Sequence, residues 1–153
     1  MLYLTAMEDQ MDKSELLKEW YSQVWEQGNI DAIDEFFAAD TMADGLIPEM
    51  QVGADDFRDF VSAFKYHLGE IRVDIPKIIE NGDWASAILH VHTSRADNGA
   101  PIEVTGQVMV RYKDNKIVEA YNQFDLISLF EQLGQMPADT LPICMTGQRL
   151  EWA

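Results

Sequence analysis

Cysteine and basic residues are both scarce in this chain of 153 residues. It has one cysteine, Cys144, and 11 Lys and Arg residues against 27 Asp and Glu residues, which gives a formal net charge of −16. A single cysteine excludes a disulfide framework and a zinc site built from cysteines, and it favours a reducing compartment. The shortage of positive charge argues against nucleic acid and anionic membranes as partners, because both are bound through positive patches.

Long hydrophobic runs and cofactor motifs are also missing. No apolar run approaches the roughly 18 residues that a membrane-spanning helix needs. The first seven residues are apolar, but they lack a positive flank and are followed by Glu8 and Asp9, so we expect no signal peptide. There is no glycine-rich dinucleotide motif and no phosphate-binding loop. We therefore expect a cytoplasmic protein without a cofactor.

The chain is nevertheless rich enough in apolar residues to build a core. Hydrophobic residues make up 47% of it, with 4 Trp, 5 Tyr and 7 Phe. A chain of this length buries about 68–70% of its unfolded surface in one domain. We expect one domain over residues 1–134 and a tail over 135–153. Because the tail is apolar, it should pack on the domain, cover a cavity mouth or exchange with a second subunit.

Apolar residues at helical spacing predict three helices in the first 70 residues. The first begins after Asp12 and ends at Gly28. The second is capped by Asn29 and ends near residue 40. The third is capped by Asp55 and ends at Gly69.

From Ile71 onward the apolar residues alternate with polar ones, which is typical of strands. After a hairpin at residues 81–83, further strands are expected over 84–94, 102–113 and 117–125, followed by a short helix over 126–133. Three helices followed by an antiparallel meander indicate an α+β fold with the helices packed on one face of the sheet.

Three sequence segments resemble those of a known family: EWYSQVWEQGNIDAID at residues 19–34, KIVEAYNQFDL at 116–126 and EQLG at 131–134. With the order of elements, they resemble the SnoaL-like polyketide cyclase group of the nuclear-transport-factor-2-like superfamily over residues 12 to 134. This resemblance implies a highly curved antiparallel sheet that, with the helices, forms a conical cavity. The superfamily hosts cyclases, isomerases, hydrolases, dehydratases and plain binding domains, so the fold alone does not fix a reaction.

Asp125, at the junction of the last strand and the last helix, is the first catalytic candidate. The resemblance implies that it is the acid/base of a cyclase reaction next to a substrate carbonyl. The alternative is that it caps the helix beginning at Leu126. Strand alternation places Tyr121 and Gln123 on the same face as Asp125, so we expect both to line the cavity.

Further polar candidates lie on the neighbouring strands. The resemblance implies a second polar group, often a histidine, on the strand before the aspartate, and this position holds Gln107. His90 and His92 project from one face of another strand, so His92 is the alternative to Gln107 as catalytic partner and His90 is expected to line the pocket. Two histidines without a third ligand at recognisable spacing do not make a metal site, so no metal is expected. Arg111 and Glu103, on the same face as Gln107, leave open a site like that of an epoxide hydrolase.

Aromatic residues of the predicted helices are candidates for the cavity wall. Tyr21 and Trp25 on the first helix, and Phe60 and Phe64 on the third, belong either to the core or to a pocket for a flat hydrophobic ring system. Met109 is expected to add an adaptable part of the wall.

Three functional hypotheses remain open from the sequence. The first is a cofactor-free acid/base enzyme, of cyclase or isomerase type, acting on an apolar carbonyl compound. The second is non-catalytic binding of a hydrophobic small molecule in the same cavity. The third is an interaction protein with a collapsed cavity. A homodimer through the outer face of the sheet, carrying Val104, Val108 and Val110, is compatible with all three.

Overall fold

The computed structural model describes residues 11–47 and 49–151. The opening segment, for which the sequence predicts no signal peptide, lies outside the described residues, as does Trp152 of the tail. Within the described ranges, no helix combines the length and the hydropathy needed to cross a membrane.

The described residues form five α-helices and six strands. The helices are α1 (Lys13–Trp20), α2 (Ile33–Phe36), α3 (Ala54–His67), α4 (Leu126–Gln132) and α5 (Thr140–Met145), with a π-helical turn (Tyr21–Glu26) continuing α1 and a 3-10 turn (Ile30–Ala32) preceding α2. The strands are β1 (Ala43–Ile47), β2 (Met50–Val52), β3 (Arg72–Asn81), β4 (Trp84–Ser94), β5 (Pro101–Lys113) and β6 (Lys116–Phe124). The predicted α+β class is confirmed.

All six strands belong to one sheet, in the order β2-β1-β6-β5-β4-β3. Strands β3 to β6 form the expected antiparallel meander, but β1 runs parallel to β6, with Ala43 opposite Ala120. A parallel pair needs a long connection, which helix α3 and the meander provide between these two strands. Since β2 and β3 lie at opposite edges, the sheet curls without closing into a barrel.

Two helix starts differ in how well the sequence predicts them. Asp12 caps α1 as expected, because its carboxylate accepts a hydrogen bond of 3.4 Å from the backbone N–H of Ser14. Helix α3 begins two residues earlier than predicted, with Gly53 instead of Asp55 as its N-cap. Asp55 therefore lies in the first turn, where a negative charge is favourable beside the helix dipole, and its carboxylate accepts from Arg58.

Two further segments depart from the predicted secondary structure. The second predicted helix is reduced to one 3-10 turn and the short α2, because the chain becomes extended at Phe37. The tail contains helix α5, which has no clear apolar period in the sequence. Helix α5 contacts α4, and the backbone N–H of Leu141 donates to the Glu131 carboxylate at 3.3 Å.

Aromatic rings join the helices at the centre of the core. Trp20 of α1 stacks on Phe37 with ring centroids 5.1 Å apart, and it meets Phe57 of α3 edge-on at 5.2 Å. Phe37 and Phe57 are themselves 5.6 Å apart. Offset and edge-on ring pairs contribute about 0.5–1.5 kcal/mol each beyond their burial. This cluster of three rings ties together α1, α3 and the segment after α2.

The alternation of side chains along β5 sets which face of the sheet is inside. Buried residues occupy every second position of this strand: Ile102, Val104, Gly106, Val108 and Val110. The prediction that Val104, Val108 and Val110 form the outer face is therefore wrong. Burial of branched apolar side chains decides the inward face, and the exposed face carries Gln107 and Met109 instead.

Gly45 of β1 is a position that only glycine can occupy without strain. Its φ is +86°, and a Cβ there would lie 1.9 Å from the backbone oxygen of Asn122. An alanine here would be strained by the positive φ. In addition, its contact with Asn122 could be relieved only by moving β1 away from β6.

We predict that Gly45→Ala lowers the free energy of unfolding by on the order of 3 kcal/mol, measured by urea denaturation. Gly82→Ala is the matched control, because Gly82 has φ +59° but nothing within 4 Å of its Cβ position. The control should cost only about 1 kcal/mol. Equal losses in the two variants would contradict the close approach of β1 and β6.

Candidate functional site

The curled sheet and the helices enclose a cavity of about 720 Å³, part of which is open to solvent. We call this space the outer chamber. Its wall consists almost entirely of aromatic and aliphatic side chains: Tyr21, Trp25, Phe60, Phe64 and Phe124, together with Leu46, Leu68, Ile71, Val73, Val91, Val104, Leu126 and Leu129, while Gly45 and Thr93 complete it. The π-helical turn, α3, α4 and five of the six strands thus contribute to one concave apolar surface.

A second, smaller space, the inner chamber, adjoins the first. The two chambers share Tyr21, Trp25, Leu46 and Phe124. The remaining wall of the inner chamber includes core residues such as Phe57 and Val108, which are 3% and 4% exposed. The inner chamber therefore reaches into the centre of the molecule.

The π-helical turn positions two of the shared residues. Its wider spiral is closed by a hydrogen bond of 2.9 Å from the backbone N–H of Gln27 to the oxygen of Ser22, and both Tyr21 and Trp25 line the two chambers. The Lys65 ammonium donates to the Trp25 carbonyl at 2.8 Å, and burial lowers the Lys65 pKa. Single π-helical turns are frequent at functional sites, since they redirect side chains out of the regular helical spacing.

The four aromatic residues that the sequence offers for the wall are placed as expected. Tyr21 and Trp25 line the outer chamber together with Phe60 and Phe64 of α3. The rings support each other, with centroids 6.3 Å apart for Trp25 and Phe60 and 4.7 Å apart for Phe60 and Phe64. They line a cavity that remains open rather than filling it.

Tyr21 is the most buried ionisable group of the wall. Burial raises the pKa of its phenol far above the usual value, and the electrostatic interaction with Tyr112 raises it further. The phenol therefore stays protonated at neutral pH and can donate a hydrogen bond. Tyr112 does not line either chamber; its hydroxyl is buried and has no hydrogen-bond partner in the described part of the chain.

Two other polar side chains reach the wall. The Thr93 hydroxyl donates to the Gly69 carbonyl at 3.4 Å, and the Asn122 amide donates through Nδ2 to the Asp44 carbonyl at 3.2 Å. Among the residues described, no histidine and no carboxylate lines either chamber. The wall thus offers neutral hydrogen-bonding groups but no ordinary general acid or base.

Asp125 caps helix α4 and lies on the exposed surface. Its carboxylate accepts a hydrogen bond of 3.1 Å from the backbone N–H of Ser128. The capping interpretation is confirmed, and the placement of Asp125 on the cavity wall is wrong. The reason is that alternation along β6 puts Asp125 on the outward side, where the backbone turns to begin α4.

Tyr121 and Gln123 consequently face outward, and their predicted placement on the wall is also wrong. Tyr121 is 43% exposed, and its hydroxyl donates to the Glu119 carboxylate at 2.5 Å, which raises the Tyr121 pKa. The inward positions of β6 are held by Asn122 and Phe124.

Gln107, Met109, His90 and His92 lie on the same outer face, because they occupy the positions between the buried residues of β4 and β5. Their predicted placement on the cavity wall is wrong for this reason.

His92 lies between two carboxylates on the outer face. Its Nε2 is 3.1 Å from Asp74 and its Nδ1 is 3.3 Å from Glu103. Arg111 pairs with Glu119 at 2.8 Å on this face, so the alternative with Arg111 and Glu103 inside the cavity is wrong. Over the described ranges, no three His, Cys, Asp or Glu side chains are grouped so as to hold a metal ion.

The wall residues that the sequence does not single out include Phe124 and Asn122. A Cβ on Gly106 would lie 2.3 Å from the Phe124 ring, so this glycine leaves room for Phe124 to lie across β5. The signal that identifies the inward face was present in β5, where Ile and Val alternate with polar residues.

Solved structures of other proteins share this fold. IdmH from Streptomyces antibioticus, a proposed polyketide cyclase, aligns with a TM-score of 0.72 at 18% identity, over 81% of this chain and 99% of its own. AclR from Streptomyces galilaeus, a proposed hydroxylase, aligns with a TM-score of 0.71 at 15% identity, over 81% and 96%. A protein of ketosteroid-isomerase-like fold from Catenulispora acidiphila, in complex with trimethylamine, gives 0.69 at 21% identity, over 82% and 95%.

Comparison with curated proteins finds no significant match. The family model described as SnoaL-like polyketide cyclase matches residues 15–133, a range that runs from α1 through α4 and includes every residue lining the two chambers. The protein therefore belongs to the SnoaL-like polyketide cyclase family.

Proposed function

We propose that this protein binds a hydrophobic, ring-bearing small molecule in the outer chamber and that it does so without acid/base catalysis by Asp125. The observation that carries the proposal is the wall itself, whose surface is aromatic and aliphatic with a few neutral polar groups. Small-molecule sites are typically concave and mostly apolar. The outer chamber has these properties.

The energetics favour a flat apolar ligand. Removing apolar surface from water contributes about 25 cal/mol per Å² on each side of the contact. Phe60, Phe64 and Trp25 present rigid ring surfaces, so they lose little conformational entropy when a ligand is bound. A charged ligand is disfavoured, because none of the described wall residues carries a compensating charge.

The other two hypotheses receive less support. Catalysis by Asp125 requires its carboxylate to reach the ligand, and the carboxylate instead caps α4 outside the wall. A collapsed cavity requires the aromatic side chains to fill the space, and here they surround it.

Blocking the chamber tests the proposal. The neutral fluorophore N-phenyl-1-naphthylamine should bind the wild type with increased emission. Val91→Phe, which adds a ring to the outer chamber wall, should weaken this binding at least about tenfold, because added volume in a packed space costs on the order of 1–3 kcal/mol.

Ile88→Phe is the matched control, since Ile88 lies on the same strand, faces outward and is 37% exposed. It should bind the fluorophore as the wild type does. Absence of binding to the wild type, or equal affinities in Val91→Phe and wild type, would reject the proposal.

The role of Asp125 can be tested separately through stability. Asp125→Ala should lower the free energy of unfolding by about 1 kcal/mol, because the N–H of Ser128 loses its acceptor. Asp125→Asn should stay within a few tenths of a kcal/mol of the wild type, since asparagine is an equally good N-cap. Thermal and urea denaturation measure both, and fluorophore binding should be unchanged in both. A loss of fluorophore binding in Asp125→Asn would show that Asp125 contributes to the ligand site.

We further propose that the protein forms a homodimer through an outer patch of Trp84, Ile88, Met109 and Tyr121. Met109 lies opposite Tyr121 in the sheet and is 46% exposed, and Trp84 stacks on Tyr121 at 6.4 Å. The adjacent charges of Arg111 and Glu119 pair with each other. On a chain with a net charge of −16, this apolar surface with paired charges is where two copies approach with least repulsion.

Met109→Asp should convert the dimer into a monomer, because it buries an unpaired charge in the contact. Sedimentation equilibrium should then report about 17.5 kDa in place of twice that mass. Met145→Asp, at a methionine of α5 that is 79% exposed, adds the same charge elsewhere and should leave the dimer intact. A monomeric wild type would overturn this assembly.

A further inference from the structure

Helix α4 lies between the outer chamber and solvent. Leu126 and Leu129 line the chamber, while Ile127 between them is 42% exposed. At this point the wall is therefore one helix thick. Moving α4 outward would open the chamber without displacing any of the strands that line it.

Helix α4 is packed separately from the main core. Its buried residues, Leu129 and Leu133, are grouped with Ile102 and Val104 of β5 in a small apolar cluster of their own. The large cluster, which contains the three rings that tie α1 to α3, includes no residue of α4. Segments with few buried apolar contacts have a low free energy of local opening. The packing of α4 is thus the part of the wall that is most easily broken.

The edge of β5 beside α4 is completed by a side chain instead of a strand. Strand β6 ends opposite Gly106, and the backbone N–H of Asp125 makes the next bond, to the Thr105 carbonyl at 3.1 Å. Two residues further along this edge, Gln132 Oε1 accepts from the Glu103 N–H and Gln132 Nε2 donates to the Glu103 carbonyl, both at 2.9 Å. One amide side chain therefore fastens α4 to the sheet.

The Gln132 amide is oriented from within its own helix. Its Nε2 also donates to the Ser128 carbonyl at 3.1 Å and to the Ser128 hydroxyl at 2.9 Å. The two bonds to Glu103 lie at an exposed position, so water can replace each partner when they separate. Such a contact defines the closed position of α4 but costs little to break.

The backbone leaves the helical conformation at both ends of α4. Asp125 precedes the helix with φ −77° and ψ 75°, and Gly134 follows it with φ +72°. Hinges are typically a few residues at the ends of elements that absorb changes in φ and ψ. Helix α5 is attached to α4 through the bond between Leu141 and Glu131, so the two helices would move together.

We propose that α4 is a lid of the outer chamber, that ligands enter and leave when it moves away from β5, and that Gln132 is the latch that holds it closed. This inference rests on the proposed binding function and specifies how the site is reached. The latch stabilises the closed position equally in the free and in the bound protein. Its loss should therefore accelerate association and dissociation by the same factor and leave the dissociation constant nearly unchanged.

Gln132→Met tests the latch, because methionine has a similar length but lacks the amide that bonds to Glu103. Stopped-flow fluorescence of N-phenyl-1-naphthylamine gives both rate constants. Each should increase about fivefold in Gln132→Met, since two exposed hydrogen bonds of the closed position are lost, while the dissociation constant stays within about twofold of the wild type. Gln132→Asn, whose amide is one methylene shorter, should have the same effect. Circular dichroism verifies the fold of each variant, and Gln132→Asn provides the test if Gln132→Met does not fold.

Gln135→Met is the matched control. Gln135 is exposed and follows α4 closely in the chain, and the same substitution there leaves the contact between Gln132 and Glu103 intact. Both rate constants should remain those of the wild type.

The outcomes separate this inference from the proposed function. If Gln132→Met leaves both rate constants unchanged, or raises only the dissociation rate constant, the lid is wrong while binding in the outer chamber stands. If Gln135→Met increases both rate constants as much as Gln132→Met does, the contact with Glu103 is not the latch and the inference is also overturned. If the fluorophore does not bind the wild type, both the inference and the proposed function are wrong.

Discussion

The packing of rigid aromatic rings around Phe57 is the constraint on which the cavity depends. An apolar space inside a protein is costly, and flexible side chains tend to relax into it. Here the core supports the wall, since Trp25 of the wall meets Phe57 edge-on at 6.1 Å and Phe57 packs against Trp20. Rings held in this way cannot fold into the chamber without breaking their contacts with the core. The helices are therefore kept at a distance from the sheet that leaves room for a ligand.

Although the protein belongs to a cyclase family, no carboxylate of the described residues lines the cavity. Strand β6 ends at Phe124, one residue before Asp125. The Asp125 carboxylate then caps the first turn of α4. The wall is left with a phenol that stays protonated, an amide and a hydroxyl. These groups donate and accept hydrogen bonds at neutral pH but do not readily remove a proton from carbon. The family match therefore does not by itself assign a reaction to this wall.

The sequence predicts the element types well and the inward face of the sheet poorly. Helical spacing identifies α1 and α3, and four of the aromatic wall residues follow from it. The error on β6 arises from assuming that Asp125 faces the cavity and using it as the reference for strand alternation, so Tyr121 and Gln123 were assigned to the wrong face. The alternation of Ile102 and Val104 with polar neighbours was the better reference, because burial of branched side chains selects the inward face. Neither the π-helical turn nor the role of Gly106 has a pattern in the sequence that identifies it.

The alternation of β4 and β5, together with the register of β6, places two different apolar surfaces on the two faces of the same strands. Inward residues such as Val91 and Phe124 form the chamber wall, while Ile88 and Met109 between them form the outer patch. A second copy seated on the outer patch would cover the outside of the curved sheet and leave the helical side, with Phe64 and Leu68, uncovered. Because both faces share one hydrogen-bonded backbone, the association would stiffen the strands that carry Asn122 and Val108. Dimerisation would then support the geometry of the inner chamber without contributing a residue to it.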